Sequence, residues 1–184
     1  KPTGTITADP YGYFNFAGTK RPSLQAWYPD FTVGTFTGQS QAAWSVTGNN
    51  DYVVMGGEFP TVNGTRQQGL VRFAVSSKAP NKRGPVADGA ALNPTVTSYA
   101  RGMASISWPV TWDMDNQNLT YEVYRDGNLA TPIHTATRAS SFWQLGTMTY
   151  RDQGLVPGST HTYRVFAKDP MGNISRSESV SVKI

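Results

Sequence analysis

The chain has 184 residues, a formal net charge of +4 and only 15% charged residues, with 18 glycines, 12 prolines and 12% aromatic residues. This composition argues against disorder, which requires low hydrophobicity and high charge, and against a helical bundle, because turn residues recur every few positions. No apolar run approaches the roughly 18 residues of a membrane span. An all-β protein is therefore predicted.

Cysteine is absent from the sequence. This excludes a disulfide scaffold, a thiolate nucleophile and a zinc site with cysteine ligands. The basic residues are scattered, and the densest group is Lys78, Lys82 and Arg83. A nucleic-acid partner is therefore not expected.

Residues 79–93 divide the chain into two β regions. Prolines and glycines interrupt this stretch, and alternating hydrophobicity is almost missing from it. Such a composition is typical of a linker or an irregular strap. The predicted regions are residues 1–78 and residues 94–184.

An imperfect repeat lies in the first region. Residues 13–18 align with 52–57, and residues 24–27 align with 70–73, so that each copy reads as strand, glycine-containing turn and strand. A period of about 40 to 50 residues built from paired strands is typical of propeller blades. Adjacent Gly56 and Gly57 suit a close backbone approach, and Asn63-Gly64 suits a turn with positive φ.

The motifs GGEF at 56–59, VNG at 62–64 and GLVRF at 69–73 resemble the GGxF…VNG repeat of secreted bacterial β-propeller proteins. This resemblance implies about two propeller-like blades in residues 1–78. Two blades cannot close a propeller or cover their own faces. The remaining blades are expected from the parent polypeptide or from a partner chain; alternatively, the hairpins pack on the second region without forming a propeller.

The second region has the short, regularly spaced strands of a β-sandwich. Trp108 is expected to enter its core, because it alternates with polar residues along the second strand. The seven predicted strands are 95–99, 103–109, 119–125, 133–136, 148–152, 161–168 and 177–184.

The segments LTYEVYRDG at 119–127, GLVPG at 154–158, YRVFA at 163–167 and DPMGN at 169–173 resemble the fibronectin type III family. The resemblance implies a seven-stranded fibronectin type III β-sandwich. His161 stands where that family usually carries a corner tyrosine, and a structural role is expected for it. Only one other histidine is present, His134, and no Gly-x-Ser-x-Gly motif occurs, so no catalytic residue is predicted.

Two pairs of residues are candidates for ligand binding. Asp113 and Asp115 offer hard oxygen ligands for Ca²⁺, but the further acidic ligand and central glycine of an EF-hand-like loop are missing. A polar turn whose side chains bond their own backbone is the alternative that the residues favour. Trp112 and Trp143 lie near strand ends, where an exposed ring would stack on a sugar; packing against the linker is the alternative. Trp27 and Trp44 are expected in the core of the first region.

The sequence therefore predicts a non-enzymatic extracellular module, a spacer and scaffold of a larger secreted or cell-surface protein that binds a protein or glycan partner. A carbohydrate-binding module that uses exposed tryptophans is one alternative. A non-catalytic part of a larger secreted propeller enzyme is another. No cofactor is expected apart from the calcium considered for Asp113 and Asp115.

Overall fold

A computed structural model describes residues 4–22, 25–79 and 83–184 of the chain. Within these residues the regular structure is β, apart from one 3₁₀ turn at Gly89–Leu92. The strands are β1 (Ala43–Gly48), β2 (Tyr52–Gly57), β3 (Thr61–Val62), β4 (Thr65–Arg66), β5 (Leu70–Ala74), β6 (Thr95–Ala100), β7 (Met103–Pro109), β8 (Asn118–Arg125), β9 (His134–Ala139), β10 (Thr147–Gln153), β11 (Thr160–Lys168), β12 (Ile174–Arg176) and β13 (Val180–Lys183). The predicted all-β class is confirmed.

The first region contains one antiparallel sheet in the order β1-β2-β5, and the short hairpin of β3 and β4 lies between β2 and β5 in sequence. Asn63 and Gly64 turn this hairpin with φ of 51° and 73°, as their residue types predict. Gly57 is the site of a close approach, because a Cβ atom there would lie 2.0 Å from the carbonyl oxygen of Ala42. The turn expected at Asn63-Gly64 is confirmed, and the close approach expected at Gly56 and Gly57 occurs at Gly57.

The prediction of two similar blades is wrong for the first copy. Residues 13–18 form no strand, and the pairing nearest to them is a single bridge between Thr5 and Lys20. Gly18 takes a positive φ of 81°, which is not the conformation of a strand. Tyr13 and Phe16 are both exposed, so these aromatic side chains pack on no second layer. Leu24, which begins the other half of this copy, lies outside the described residues. The described residues contain no closed propeller.

The two tryptophans of this region differ in their surroundings. Trp27 packs edge-on against Phe73 of β5, with ring centroids 5.0 Å apart. Trp44 on β1 is 53% exposed, so the expectation that it is a core residue is wrong. It lies on an edge strand whose six residues are all exposed, and the described chain places no second sheet against it.

The second region is a β-sandwich. One sheet has the order β10-β7-β6, and the other has the order β12-β11-β8-β9, with β13 also paired to β11. The first six predicted strands are present, and their bounds differ from the predictions by at most three residues. The predicted alternation is confirmed, since Trp108 of β7 and Tyr121 of β8 are buried between the sheets with ring centroids 6.3 Å apart.

The seventh predicted strand, 177–184, is present as the shorter β13, whereas β12 was not predicted; residues 177–179 separate the two strands. The Ser177 hydroxyl accepts the Val165 N–H at 2.9 Å and donates to the Glu178 carbonyl at 2.7 Å. A side chain thus replaces a backbone partner, which interrupts the regular ladder.

A buried polar bridge connects the two sheets. Asp152 of β10 accepts hydrogen bonds from Arg125 of β8 and from the hydroxyl of Tyr163 of β11, each at 2.8 Å. Tyr163 therefore bonds a side chain of the opposite sheet. The bridge fixes the relative position of the two sheets at one end of the core.

The described part of the predicted linker, residues 83–93, runs along the sandwich as a strap. Val86 N–H donates to the Trp112 carbonyl at 2.9 Å, and Pro85 O accepts the Ser175 hydroxyl at 2.7 Å. Leu92 is fully buried in the sandwich core. These contacts fit the strap interpretation, while the division of the chain into two domains stays a prediction.

Candidate functional site

Four aromatic side chains meet where the first region contacts the sandwich; they are called the aromatic cluster below and are Tyr28, Trp112, Phe142 and Trp143. Tyr28 packs edge-on against Phe142 and Trp143, with ring centroids 5.5 and 5.1 Å apart. Phe142 also contacts Trp143 at 4.6 Å and Trp112 at 5.5 Å. The cluster joins residues that are far apart in the sequence.

Loops at one end of the sandwich position these rings. Trp112 lies in the loop between β7 and β8, and its carbonyl is bonded to the strap. Phe142 and Trp143 form the tip of a tight turn in which Ser141 and Gln144 bridge each other. Tyr28 is held by its N–H, which donates to the Met114 carbonyl at 2.6 Å. Backbone hydrogen bonds thus fix the segments that carry each ring.

A cavity of about 390 Å³ opens beside the aromatic cluster. Its lining is Tyr28, Pro29, Asp30, Trp112, Met114 and Phe142. Asp30 is exposed at this cavity and is the one carboxylate of its lining. The cavity therefore combines aromatic walls with an anionic hydrogen-bond acceptor.

The two tryptophans named as candidates from the sequence are both members of the aromatic cluster. Trp112 is half-buried, its backbone carbonyl accepts a hydrogen bond from the strap, and its ring packs on Phe142. Trp143 is 57% exposed and Phe142 is 53% exposed, so the cluster presents ring surface to solvent. The sequence analysis missed Tyr28 and Phe142, because only the folded chain brings residue 28 beside residue 142.

The proposed calcium ligands, Asp113 and Asp115, lie in the same loop as Trp112. Asp113 is 1% exposed; its Oδ1 accepts the N–H groups of Asp115 and Asn116 at 3.0 and 3.2 Å. Its Oδ2 is buried and accepts no hydrogen bond from the described residues. Burial first, and then contact with the Asp115 carboxyl group, raise the pKa of Asp113 to about 6.

This geometry contains the polar turn that was the alternative to a metal site. The described residues contain no group of three or more His, Cys, Asp or Glu side chains suited to a metal ion. Asp115 also accepts a hydrogen bond from the Asn116 side chain at 2.9 Å. Calcium binding by Asp113 and Asp115 stays a prediction.

A Ser-His-Asp chain, which the sequence analysis did not find, lies at the start of β11. Nε2 of His161 is 2.9 Å from the Ser159 hydroxyl, and Nδ1 is 2.8 Å from Oδ2 of Asp126. The pairing of β8 with β11 brings Asp126, in the turn after β8, next to Thr162. The contact between Asp126 and His161 follows from the register of β8 against β11, which the sequence analysis did not predict.

The hydrogen bonds of Ser159, His161 and Asp126 indicate a structural role for these three residues. The Ser159 hydroxyl donates to the Val156 carbonyl at 2.6 Å, so its one proton is directed away from His161. Asp126 additionally accepts the Thr162 N–H at 3.0 Å. Partial burial alone would raise the pKa of Asp126, but the hydrogen bonds from Thr162 and His161 hold this pKa below its ordinary value.

Comparison with protein-family models found no match, and comparison with curated proteins found none either. Solved structures with similarity include the sixth fibronectin type III domain of human fibronectin type III domain containing protein 3, at 22% identity over 56% of this chain and 88% of that one, with a TM-score of 0.39. A chain described as a myokine structure matches at 19% identity over 53% and 97%, with a TM-score of 0.34. The human OSCAR ligand-binding domain matches at 12% identity over 71% and 88%, with a TM-score of 0.36.

These TM-scores are too low to define a fold, so the sandwich assignment rests on strand order and register in the chain itself. Within the described part of the chain, no helix has the length and apolar character needed to cross a membrane.

Proposed function

We propose that this chain is a non-enzymatic binding and spacer module of a secreted or cell-surface protein, and that the aromatic cluster is its contact surface. The observation that carries the proposal is the exposure of Phe142 and Trp143 on a support of fixed backbone. Adjacent exposed aromatic side chains mark interaction surfaces more often than scattered apolar residues do. The sandwich supplies a rigid base for them.

A non-enzymatic role is favoured by the orientation of the Ser159 hydroxyl. A serine nucleophile must give its proton to histidine, whereas Ser159 donates to the Val156 carbonyl. Incubation with a fluorophosphonate probe is therefore expected to leave Ser159 unlabelled. Labelling that disappears in Ser159→Ala and in His161→Gln would overturn this part of the proposal.

A glycan is the second candidate for the partner, and the composition of the cavity favours it. Trp143 offers an exposed ring face, and the adjacent cavity adds the Asp30 carboxylate as an acceptor for sugar hydroxyl groups. Ring stacking together with a few placed polar groups provides orientation as well as affinity. A protein partner would use the same rings as apolar anchors.

Titration with soluble chitin and peptidoglycan fragments, followed by tryptophan fluorescence, separates these partners. If a glycan binds, the fluorescence change saturates in the wild-type chain and is lost in Trp143→Ala. It is retained in Trp44→Ala, which removes a similarly exposed tryptophan at 53% exposure from the other region. No saturable change, or equal loss in both variants, would refute the glycan candidate.

A further inference from the structure

Strand β1 lies at the edge of its sheet, and both of its faces are exposed. All six of its residues are exposed, and among the described residues β2 is its one neighbouring strand. Val46 is 65% exposed and Trp44 is 53% exposed. Natural proteins usually protect such an edge with lysine, other charges, proline or a β-bulge. The sequence of β1, AWSVTG, contains no charged residue and no proline. The register of β1 against β2 shifts between Ala43 and Ser45, and the pairing is regular over residues 45–48.

The outer side of β1 offers backbone groups for pairing. Asn49 N–H donates to the Tyr52 carbonyl at 2.9 Å, which marks this pair as hydrogen-bonded. Bonded and non-bonded pairs alternate along an antiparallel ladder. Val46 and Gly48 therefore direct their N–H and C=O groups away from β2, toward the open edge.

The opposite edge of the same sheet is less suited to pairing with itself. Strand β5 carries Arg72, whose guanidinium group lies 4.7 Å from the centre of the Tyr52 ring. Two β5 strands paired about their centre, Arg72, would place two positive charges side by side, which is unfavourable. Strand β1 is neutral, so two copies of it meet without repulsion.

We propose that two copies of this chain associate through β1, antiparallel about Val46, to form a continuous six-stranded sheet. This register sets Val46 opposite Val46 of the second copy, and Ser45 opposite Thr47. The regular part of the strand, residues 45–48, thus carries no opposing charge and offers free hydrogen-bonding groups for a second copy.

Apolar side chains on one face of the β1-β2-β5 sheet also suit this pairing. Val46 is paired with Met55, and Met55 with Val71, so the three share one face of the sheet. Pairing two such sheets edge to edge extends that apolar face across both copies. An interface between two isologous surfaces is the commonest form of association in soluble homo-oligomers.

Sedimentation of the full 184-residue chain over a range of concentrations tests the proposal. The wild-type chain is expected to form a dimer, and Val46→Lys to weaken dimerisation by roughly tenfold or more, because it opposes two like charges. Leu70→Lys is the matched control: Leu70 lies on the β5 edge with a comparable exposure of 60%, and its substitution should leave the dimer intact. Circular dichroism verifies that both variants fold.

Cross-linking tests the register. The chain has no native cysteine, so Val46→Cys introduces a single thiol, and a short bis-maleimide should link two copies efficiently. Leu70→Cys should not be linked. A wild-type chain that stays monomeric at all concentrations, a dimer that survives Val46→Lys, or equal cross-linking of both cysteine variants would each overturn the proposal. Trp143→Ala should leave the dimer unchanged, so this result is independent of the aromatic cluster.

Discussion

Asp113 is a carboxyl group that the fold buries beside a second carboxyl group, Asp115. Its Oδ1 is used by the turn, while its Oδ2 is not matched by a donor among the described residues. Burial of a charged oxygen without a donor costs free energy, and the raised pKa of Asp113 expresses that cost. The hydrogen bonds to Oδ1 hold the loop in place, whereas ionisation of the buried carboxyl group destabilises the folded state.

The substitution Asp113→Asn is expected to stabilise the chain at pH 7.5 by about 1 to 2 kcal/mol. Between its ordinary value of 3.8 and the folded value of about 6, the pKa shift makes the folded state bind more protons than the unfolded state. Wild-type stability therefore falls as pH rises through this window and stays lower above it. Asparagine keeps the Oδ1 acceptor and carries no charge.

Urea unfolding of both proteins at pH 4 and pH 7.5 measures this difference, which should nearly vanish at the lower pH. A variant that is less stable than the wild type at pH 7.5 in the absence of calcium would contradict the expectation.

Repeating the measurement with millimolar CaCl₂ and with chelator tests the calcium prediction. Calcium binding requires a gain in wild-type stability that Asp113→Asn abolishes.

At the scale of elements, the turn from β2 toward β3 depends on one of two adjacent glycines. At Gly57 an added Cβ would overlap the Ala42 carbonyl, which is backbone and cannot rotate away. At Gly56 the nearest atom would lie 3.8 Å from the added Cβ, an ordinary contact. The motif GG therefore contains one glycine required by close approach and one that the geometry does not require.

The substitution Gly57→Ala is expected to destabilise the β1-β2-β5 sheet by roughly 2 kcal/mol or more, since the backbone must move to relieve the overlap. Gly56→Ala is the control and should cost well under about 1 kcal/mol, near the usual effect of a tolerated substitution. Hydrogen exchange of peptides from β1 and β2 reports this local stability. Equal exchange rates in the two variants would show that the close approach of Ala42 to Gly57 does not occur.

At the scale of the whole molecule, Phe59 and Val62 are buried within the first region, and the larger buried core is that of the sandwich. Its members lie between Leu92 and Ala167, and partly buried residues up to Ile184 pack against them. The first region adds no residue to this core and meets the sandwich through the aromatic cluster and the strap. A hydrophobic core of its own is what the predicted division of the chain requires of the sandwich.

Residues 83–184 expressed alone are therefore expected to fold and to unfold cooperatively, with a Tm within a few degrees of the corresponding transition in the full chain. Calorimetry of both proteins measures this. Residues 4–79, whose strand β1 is exposed throughout, should lack such a transition when expressed alone. A sandwich fragment that fails to fold would contradict the predicted division of the chain.

The sequence was most informative where the signal is local or strictly periodic. Alternation along β7 identified Trp108 as a core residue, because a strand has two faces and only one faces the other sheet. Asn63-Gly64 identified its turn, because few residue types tolerate positive φ. The repeat was misleading for residues 13–18, since similar residues do not form a strand without a neighbour to pair with.

The residue order alone therefore determined the β class, the sandwich strands other than β12, and the Asn63-Gly64 turn, all of which depend on neighbours in the chain. Only the tertiary structure decided which distant groups meet. It brought Tyr28 to Phe142, Asp126 to His161 and Asp152 to Tyr163. It also left β1 uncovered. These outcomes depend on strand register and on the path of the strap, which are set by the packing of the whole chain rather than by any short segment.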